Sequence, residues 1–433
     1  MSVPASSRHR PSGRSNSDER PVRGAEVRGA EVSRPEADTQ AEVGISSALL
    51  LLMAVSCGLI VANIYYVQPL LPDLDRQFGA ASRVGYGVTT TQLGYALGLI
   101  FLVPLGDLLA KRALAVSLLA ASAVALALAA VAWSALVLVL ALTCVGVSSV
   151  AVNVLIPFAA TLASDGQRGR VLGTMMTGLL LGVLLARTVS GALGQLAGWR
   201  TVYITAAVVI ALLAVVLFLA LPVLPVPEGS RSYPRLLRSV VSLIRQERFL
   251  RRRMLVGALG FASFQLLWTA LPSLLAATPF GYSTAAIGSF GLVGAAGVLC
   301  AQSAGRLQDR GYGHVAIGAF TLLLGAAWLV FAGPRHLWVL IIGIILLDIG
   351  VQGLHVLNQG RIYQYKAQVR ARVTTAYMTA YFVGGSVGSL LALTVLPHVG
   401  WTGVCVAGGI LFTLTAALWF RDRDAKPSPH LVT

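Results

Sequence analysis

Polar side chains recur along one stretch of otherwise apolar sequence near residue 350. Asp348, Gln352, His355 and Gln359 follow one another at spacings of four, three and four residues. In an α-helix this spacing places the four side chains within about 40° of one line. A carboxylate and an imidazole on one wet helix face can pass a proton along through water. The pattern predicts proton coupling at Asp348 and His355. Hydrogen bonding to neighbouring helices is the alternative for His355 and both glutamines.

A second charge lies deep in another apolar stretch, at Arg187. A charge at the middle of a bilayer costs between about 2.5 and more than 10 kcal/mol, so Arg187 and Asp348 should face a bundle interior or a wet cavity. We interpret Asp348 as a proton carrier and Arg187 as its counter-ion or as a contact for an anion. A purely structural ion pair is the alternative, because the sequence does not show whether the two faces meet.

Aromatic, amide and hydroxyl side chains on other stretches complete a candidate substrate cavity. Phe261, Gln265 and Trp268 repeat the same spacing and offer aromatic surface with one amide, which suits an amphipathic organic solute. Packing between helices is the competing interpretation of that stripe. The remaining predicted cavity residues are Asn63, Tyr66, Ser149, Asn153, Arg187, Gln352, Gln359, Tyr377 and Tyr381.

Membrane-spanning helices are needed to position these side chains. Apolar residues make up 56% of the 433 residues and charged residues only 12%, against about 25% charged in soluble domains. Apolar runs reach the roughly 20 residues that cross a bilayer, and backbone groups in lipid must bond within a helix. We therefore predict an all-α membrane protein of twelve transmembrane helices. These span 44–66, 85–105, 113–133, 135–158, 171–192, 202–223, 254–276, 285–305, 315–333, 337–359, 373–396 and 400–420.

The distribution of Arg and Lys predicts the orientation. Alternate loops hold most of the bases, and the loops on the other side hold only Arg76, Arg83, Arg200 and Arg335. Basic loops face the cytoplasm, so both termini are expected inside. This asymmetry explains the net charge of +16 without a nucleic-acid partner. The excess of Arg over Lys suggests a bacterial protein, and we expect it in the plasma (inner) membrane.

A long basic loop divides the twelve predicted helices into two sets of six. We predict a disordered cytoplasmic tail at 1–43, six-helix bundles at 44–223 and 254–420, a basic cytoplasmic linker at 224–253 and a cytoplasmic tail at 421–433. An amphipathic part of the linker is expected to lie on the anionic inner leaflet. A role as topology signal and tether is the alternative.

Two related loops follow the second and eighth predicted helices, about half the membrane domain apart, as in a duplicated unit. An acid followed by bases at a helix end can pair with the loop or cap the next helix. The residues concerned are Asp107, Lys111 and Arg112 in the first loop and Gly305, Leu307, Asp309 and Arg310 in the second.

The second loop resembles the cytoplasmic signature of the major facilitator superfamily, Gly-x-Leu-x-Asp-Arg followed by Gly and bases. The first loop has Val103 where that signature begins with Gly. The resemblance covers about residues 44–420 and implies two pseudo-symmetric six-helix bundles, with helices 1, 4, 7 and 10 around a central cavity. It also implies that helices 2 and 5 lie between the halves. Their small residues at spacings of four, which permit close helix approach, are Gly94, Gly98, Gly178 and Gly182.

The antiporter signature that this family carries in helix 5 is only partly present. Gly178 and Gly182 match, but Val183 replaces its proline, and Ala186 and Arg187 replace its last two glycines.

Transport rather than catalysis is the expected function. The sequence lacks a Walker motif and any His/Cys metal-ligand spacing, so we expect neither cofactor nor metal nor catalytic residues. We predict a monomer that exports a small amphipathic organic compound in exchange for protons by alternating access within the lipid bilayer. A proton-coupled uptake symporter of the same fold is the nearest alternative. A membrane-embedded enzyme or sensor is a distant one.

Overall fold

The computed structural model describes residues 45–79, 83–164, 166–224, 232–295, 297, 304–308, 310, 312–333, 336–362 and 364–421. Every structural statement below refers to these residues. The predicted tail at 1–43, nearly all of the tail at 421–433 and Asp309 of the second signature loop lie outside them.

Helices make up almost all of the described chain. Their bounds are α1 Ser47–Ala62, α2 Val67–Phe78, α3 Tyr86–Phe101, α4 Lys111–Ala130, α5 Ala135–Ser148, α6 Ala151–Leu162, α7 Arg168–Ala197, α8 Trp199–Ala220, α9 Tyr233–Gln246, α10 Arg248–Ala276, α11 Thr284–Ser289, α12 Gly313–Phe331, α13 Leu337–Ile362 and α14 Ala367–Arg421. Short 3₁₀ helices follow α3 at Val103–Asp107 and α11 at Phe290–Gly294.

Ten helical stretches in the described part of the chain are long and apolar enough to span a membrane. One of them, Val369–Arg421, contains two predicted spans, because the chain breaks at Gly400. Gly400 has φ 70°, a left-handed conformation that glycine adopts without steric cost. The apolar helix Thr284–Gly294 begins where the eighth span was predicted. The predicted all-α membrane fold is confirmed.

The predicted basic linker is partly helical. Helix α9 is amphipathic, with Arg235, Arg238 and Arg245 exposed on one side and apolar side chains on the other. The next helix begins at Arg248, so the last six residues of the predicted linker belong to α10, the seventh span.

The first transmembrane span is interrupted between α1 and α2. From Asn63 to Tyr66 the chain forms a turn, in which Tyr65 N–H donates to the Ala62 carbonyl at 2.9 Å. Pro69 explains the break, because proline has no N–H for the carbonyl four residues earlier and its ring crowds that carbonyl. The break changes which residues share a face of this span, with consequences for the site.

Hydrogen bonds between the first and last six spans lie between the middle of the bundle and one of its ends. That end is opposite the basic loops and is outer in the predicted topology. Within the described part of the chain the pairs are Asp73–Thr284, Thr89–Ser389, Thr89–Ser386, Thr188–Gly288, Gln195–Ala285 and Gln68–Gln265.

The opposite end is open. In the inner half of α7, from Arg168 to Leu181, only Val171 and Met175 are buried. The hydrogen bonds between the halves thus lie away from the basic loops, an arrangement expected of an inward-facing state in the predicted topology.

The predicted interface glycines lie at close helix contacts, but within the first half rather than between the halves. A Cβ atom on Gly94 or Gly98 would collide with carbonyl groups of α5, and one on Gly178 or Gly182 would collide with carbonyl groups of α1. Helices α3 and α7 do contact helices of the second half, as the resemblance implies, but these four glycines serve packing within the first half, since spacing predicts close approach and not the partner helix. Gly191 of α7 lies where the two halves pack closely. A Cβ atom added to Gly191 would lie 2.6 Å from the carbonyl oxygen of Thr284 in the second half.

Candidate functional site

Asp348 lies at the centre of the bundle, on α13, with 3% of its surface exposed. The indole N–H of Trp268 on α10 donates to its Oδ1 at 3.4 Å. Gly294, in the segment after α11, packs so tightly that a Cβ atom there would collide with the carboxylate. Among the described residues, this deeply placed acid thus contacts α10 and the segment after α11, both in the second half of the molecule.

Arg187 occupies the crossing between the two halves and is 4% exposed. Its Nε donates to Gln68 Oε1 at 2.6 Å, and its guanidinium carbon lies 4.2 Å from the centre of the Trp268 ring. The rings of Tyr65 and Phe264 lie 4.8 and 5.4 Å from the same carbon. A desolvated cation–π contact is worth about 2 kcal/mol, so three aromatic faces stabilise the buried charge. Its Nη2 has no hydrogen-bond partner.

Trp268 connects the two charges. No ion pair joins Asp348 directly to Arg187 in the described structure. One edge of the Trp268 indole donates to Asp348, and its face lies against Arg187. The predicted relation between acid and base is therefore indirect, with an aromatic ring between them.

A pair of amides links the two halves beside this cluster. Gln68 Nε2 donates to Gln265 Oε1 at 3.2 Å, and both side chains are fully buried. The Nε2 of Gln265 has no partner. The cluster thus contains two unpaired donor groups, one on Arg187 and one on Gln265.

His355 belongs to a separate layer closer to the open end. Its Nδ1 lies 3.2 Å from the Tyr377 hydroxyl and its Nε2 lies 2.8 Å from Gln359 Nε2. The His355 ring centre is 4.5 Å from that of Tyr381, which stacks on Phe261 at 4.0 Å. Both imidazole nitrogens therefore have partners other than Asp348.

The predicted polar stripe of α13 changes character along its length. Asp348 is buried, whereas Gln352, His355 and Gln359 are half-buried. The stripe thus becomes more accessible from the middle of the bundle toward the open end.

The first half adds one amide and one phenol to the layer that contains His355. Asn153 Nδ2 donates to the Tyr95 hydroxyl at 2.6 Å, and the Tyr95 ring lies 4.1 Å from Phe382 of the other half. The Ser149 hydroxyl instead donates to the Val145 carbonyl of its own helix at 2.7 Å.

Asn63 and Tyr66 lie apart from the central cluster. Both line a separate cavity of about 180 Å³, together with residues of α7 and α8. Because the first span breaks between α1 and α2, its inward-facing groups at Arg187 are Tyr65 and Gln68 instead.

Four residues of the central site were not predicted: Tyr65, Gln68, Tyr95 and Phe264. Gln68 carries a signal that sequence reasoning can use, since it is an amide within a spanning segment next to a helix-breaking proline. Tyr65, Tyr95 and Phe264 carry no signal that separates them from ordinary packing residues.

The signature loops lie away from the site. Asp107 is exposed, and α4 begins at Lys111 without a side-chain cap, so Asp107 does not cap it as expected. Arg112 donates to the Phe218 carbonyl and lies 4.7 Å from the Phe218 ring centre, which ties α4 to the end of α8. In the second loop Gly305 is half-buried and Arg310 is exposed.

A larger cavity of about 900 Å³ lies outside the closed end. Asp73, Asp75, Trp199, Tyr282 and Thr284 are among its lining residues. It is separated from Asp348 by the hydrogen bonds that join the halves, so we do not assign the transport site to it.

Comparison with known proteins agrees with this arrangement. The family model described as Major Facilitator Superfamily matches residues 51–389. The chain belongs to the major facilitator superfamily. As a member of that superfamily it is a multi-pass membrane transporter and not an enzyme.

The relatives and a solved structure support the same assignment. This superfamily transporter is 46% identical over 381 residues to the uncharacterized transporter YgaY of Escherichia coli O157:H7, covering 87% of this chain and 96% of the relative. It is 34% identical over 388 residues to a Streptomyces coelicolor protein named a probable transporter, covering 88% and 89%. The inward-facing, occupied structure of a bacterial homologue of the lysosomal transporter Spinster gives a TM-score of 0.72 at 14% identity, covering 87% and 96%, and shows the fold alone.

Proposed function

We propose that this transporter exports a small amphipathic organic compound in exchange for protons, by alternating access. The observation that carries the proposal is the buried Asp348, placed one indole ring away from Arg187 at the crossing of the two halves. Asp348 is the proton carrier in this proposal.

Protonation of Asp348 changes the charge balance around Arg187. When ionised, the carboxylate accepts from Trp268 and offsets the nearby guanidinium charge. When protonated, it leaves that buried cation without an opposite charge nearby, and an uncompensated buried charge is strongly unfavourable. The proton thus alters the stability of the contacts made by Arg187.

Arg187 transmits this change to the closure between the halves. Its side chain lies against Trp268 and Phe264 of the second half. Its backbone carbonyl oxygen packs closely against Gly288 of the second half. A Cβ atom added to Gly288 would lie only 2.5 Å from that oxygen. A change in these contacts alters the balance between the state that is closed at the outer end and the state that is open there, and the exchange of solute for protons depends on that balance. A coupling of this kind requires two states that the proton binds unequally.

An aromatic layer lies closer to the open end than Asp348 and Arg187 do, and it suits the apolar part of an amphipathic solute. Phe261, Tyr381, Tyr95 and Phe382 form a run of aromatic rings with neighbouring centres 4.0 to 5.9 Å apart. His355, Gln359 and Asn153 add hydrogen-bonding groups beside these rings. Apolar walls with a few placed polar groups are typical of small-molecule sites.

Replacing the proposed proton carrier tests the function directly. Inverted vesicles with an acidic lumen and a pH-sensitive dye are exposed to a panel of amphipathic compounds. Wild type is expected to release protons when its substrate is added. Asp348→Asn should give less than about a tenth of that response, because it cannot exchange the proton that alters the buried charge balance.

Asp75→Asn is the matched control, since it removes a carboxylate from the outer cavity and leaves the central cluster intact. Its response is expected to equal that of wild type. Equal release in wild type and Asp348→Asn would move the proton to another carrier, with His355 next. No release with any compound would count against export.

One observation favours a second candidate, proton-coupled uptake. The unpartnered donors Arg187 Nη2 and Gln265 Nε2 suit an anionic group on the cargo. An anion at Arg187 replaces the charge that Asp348 loses on protonation, so anion and proton would bind together, which is symport. In right-side-out vesicles without a gradient, addition of an anionic substrate would then make the outside more alkaline. A cationic or neutral substrate that competes with the proton would instead support antiport.

A further inference from the structure

A smaller cavity lies within the first half, on the other side of the first span from Arg187. Its volume is about 180 Å³, and its walls come from α1, α7, α8 and the turn that breaks the first span. Three polar residues line it, Asn63, Tyr66 and Thr205, and the other lining residues are apolar. We refer to it as the side cavity.

The buried amide of Asn63 lacks a hydrogen-bond partner among the described residues. The side chain is 2% exposed, and neither its Nδ2 nor its Oδ1 makes a hydrogen bond. An unsatisfied buried polar group costs about 1–3 kcal/mol, so buried amides are normally paired. A ligand in the side cavity that brings both a donor and an acceptor would remove this cost.

The side cavity opens on the surface that faces lipid. Val189 at its edge is 47% exposed, and Thr205 is exposed as well. Around this opening, Val208 and Leu212 of α8 are 54% and 61% exposed. Apolar side chains exposed on a membrane span contact acyl chains, so a ligand reaches the opening from within the bilayer.

We propose that the side cavity binds single-ring phenols that dissolve in the bilayer. An apolar cavity of about 150 Å³ is large enough to hold benzene, so the side cavity accommodates one aromatic ring. A phenol hydroxyl both donates and accepts, so it can pair with the unpartnered amide atoms of Asn63, which are buried at the cavity wall, when that side chain turns toward the ligand. The apolar walls pack against the ring.

Such a ligand would act beside the transport site without entering it. It contacts Asn63 and Tyr66 at the ends of the turn, and this turn also positions Tyr65 at 4.8 Å from the guanidinium carbon of Arg187. The side cavity thus offers membrane-dissolved compounds a way to influence transport from the bilayer. The binding proposal itself does not depend on the proposed direction or coupling of transport.

Photoaffinity labelling of the reconstituted full-length protein tests this site. The probe is a phenol that carries a diazirine, and the competitor is 3-methylphenol. Labelling is expected in peptides from α1, α7 and α8 and should be abolished by excess competitor. Thr205→Trp fills the opening and should lower this competable labelling about tenfold. Leu219→Trp, a control on exposed Leu219 of α8 about four helical turns from Thr205, should not change it.

A second variant tests the role of the amide. Asn63→Leu keeps an apolar cavity but removes the hydrogen-bonding atoms, so competition by 3-methylphenol should weaken about two- to tenfold. Competition by toluene should stay the same. Labelling that no competitor reduces, or that is equal in wild type and Thr205→Trp, would overturn the proposal. So would equal weakening of phenol and toluene in Asn63→Leu. Each readout is binding, so failure here is distinguishable from failure of transport.

Discussion

Gly182→Leu is expected to lower the free energy of unfolding by about 3 kcal/mol, the upper part of the usual range for overpacking. A Cβ atom at Gly182 would collide with the carbonyl of Gly58, and backbone atoms cannot turn aside as a side chain can. Helices α1 and α7 would have to separate along their contact, which also includes Gly178 against Ala54. Thermal unfolding of the detergent-solubilised protein, followed by tryptophan fluorescence, measures the loss.

Gly173→Leu provides the control on the same helix. A Cβ atom at Gly173 would meet no other atom within 4 Å, so the substitution adds the same side chain to α7 without a collision. Its unfolding temperature should stay close to that of wild type. An equal decrease in both variants would show that the helix contact is not the cause, and no decrease in either would show that α1 and α7 can move apart freely.

Arg187→Gln should reduce transport about a hundredfold, because removing one member of a buried set of charges costs about 3–5 kcal/mol. The substitution leaves the Asp348 carboxylate buried without its nearest identified cation and removes the contact with the Trp268 ring. Arg187→Lys keeps the charge but lacks the planar group that reaches both Gln68 and Trp268. Its activity should lie between those of Arg187→Gln and wild type. Uptake of labelled substrate into proteoliposomes measures the effect.

Arg200→Gln is the matched control for that loss. Arg200 also lies over an indole, 4.3 Å from the ring centre of Trp199, but at the outer end of the bundle. Its replacement removes a comparable cation–π contact outside the central cluster and should leave transport near the wild-type rate. Similar losses in the Arg187 and Arg200 variants would indicate a general effect of lost stability, and full activity of Arg187→Gln would remove Arg187 from the mechanism.

Sequence reasoning worked best where the relevant distances are local. Membrane spans follow from runs of apolar residues, and the stripe from Asp348 to Gln359 follows from the pitch of one uninterrupted helix. The fold class was predictable for the same reason. The position of Arg187 deep in a span was also evident from the sequence.

The first span shows why prediction of the site was incomplete. A helical pitch carried through residues 63–66 assigns the wrong residues to the inner face, because the chain makes a turn there. That pitch assigns Asn63 and Tyr66 to the central cavity, whereas the structure places Tyr65 and Gln68 beside Arg187. Contacts between distant segments, such as Gln68 with Gln265, leave no mark in the spacing of either segment.

The hydrogen bonds that close the outer end differ in kind from the basic loops at the other end. Of the six pairs joining the halves, only Asp73–Thr284 includes an ionisable group. Dissolved salt screens charges but hardly affects neutral hydrogen bonds, so it should leave this closure intact. Closing the opposite end would bring basic loops together, and salt reduces their repulsion. The balance between inward- and outward-facing states should therefore shift toward outward-facing as ionic strength rises, which spin-label distances across both ends would reveal.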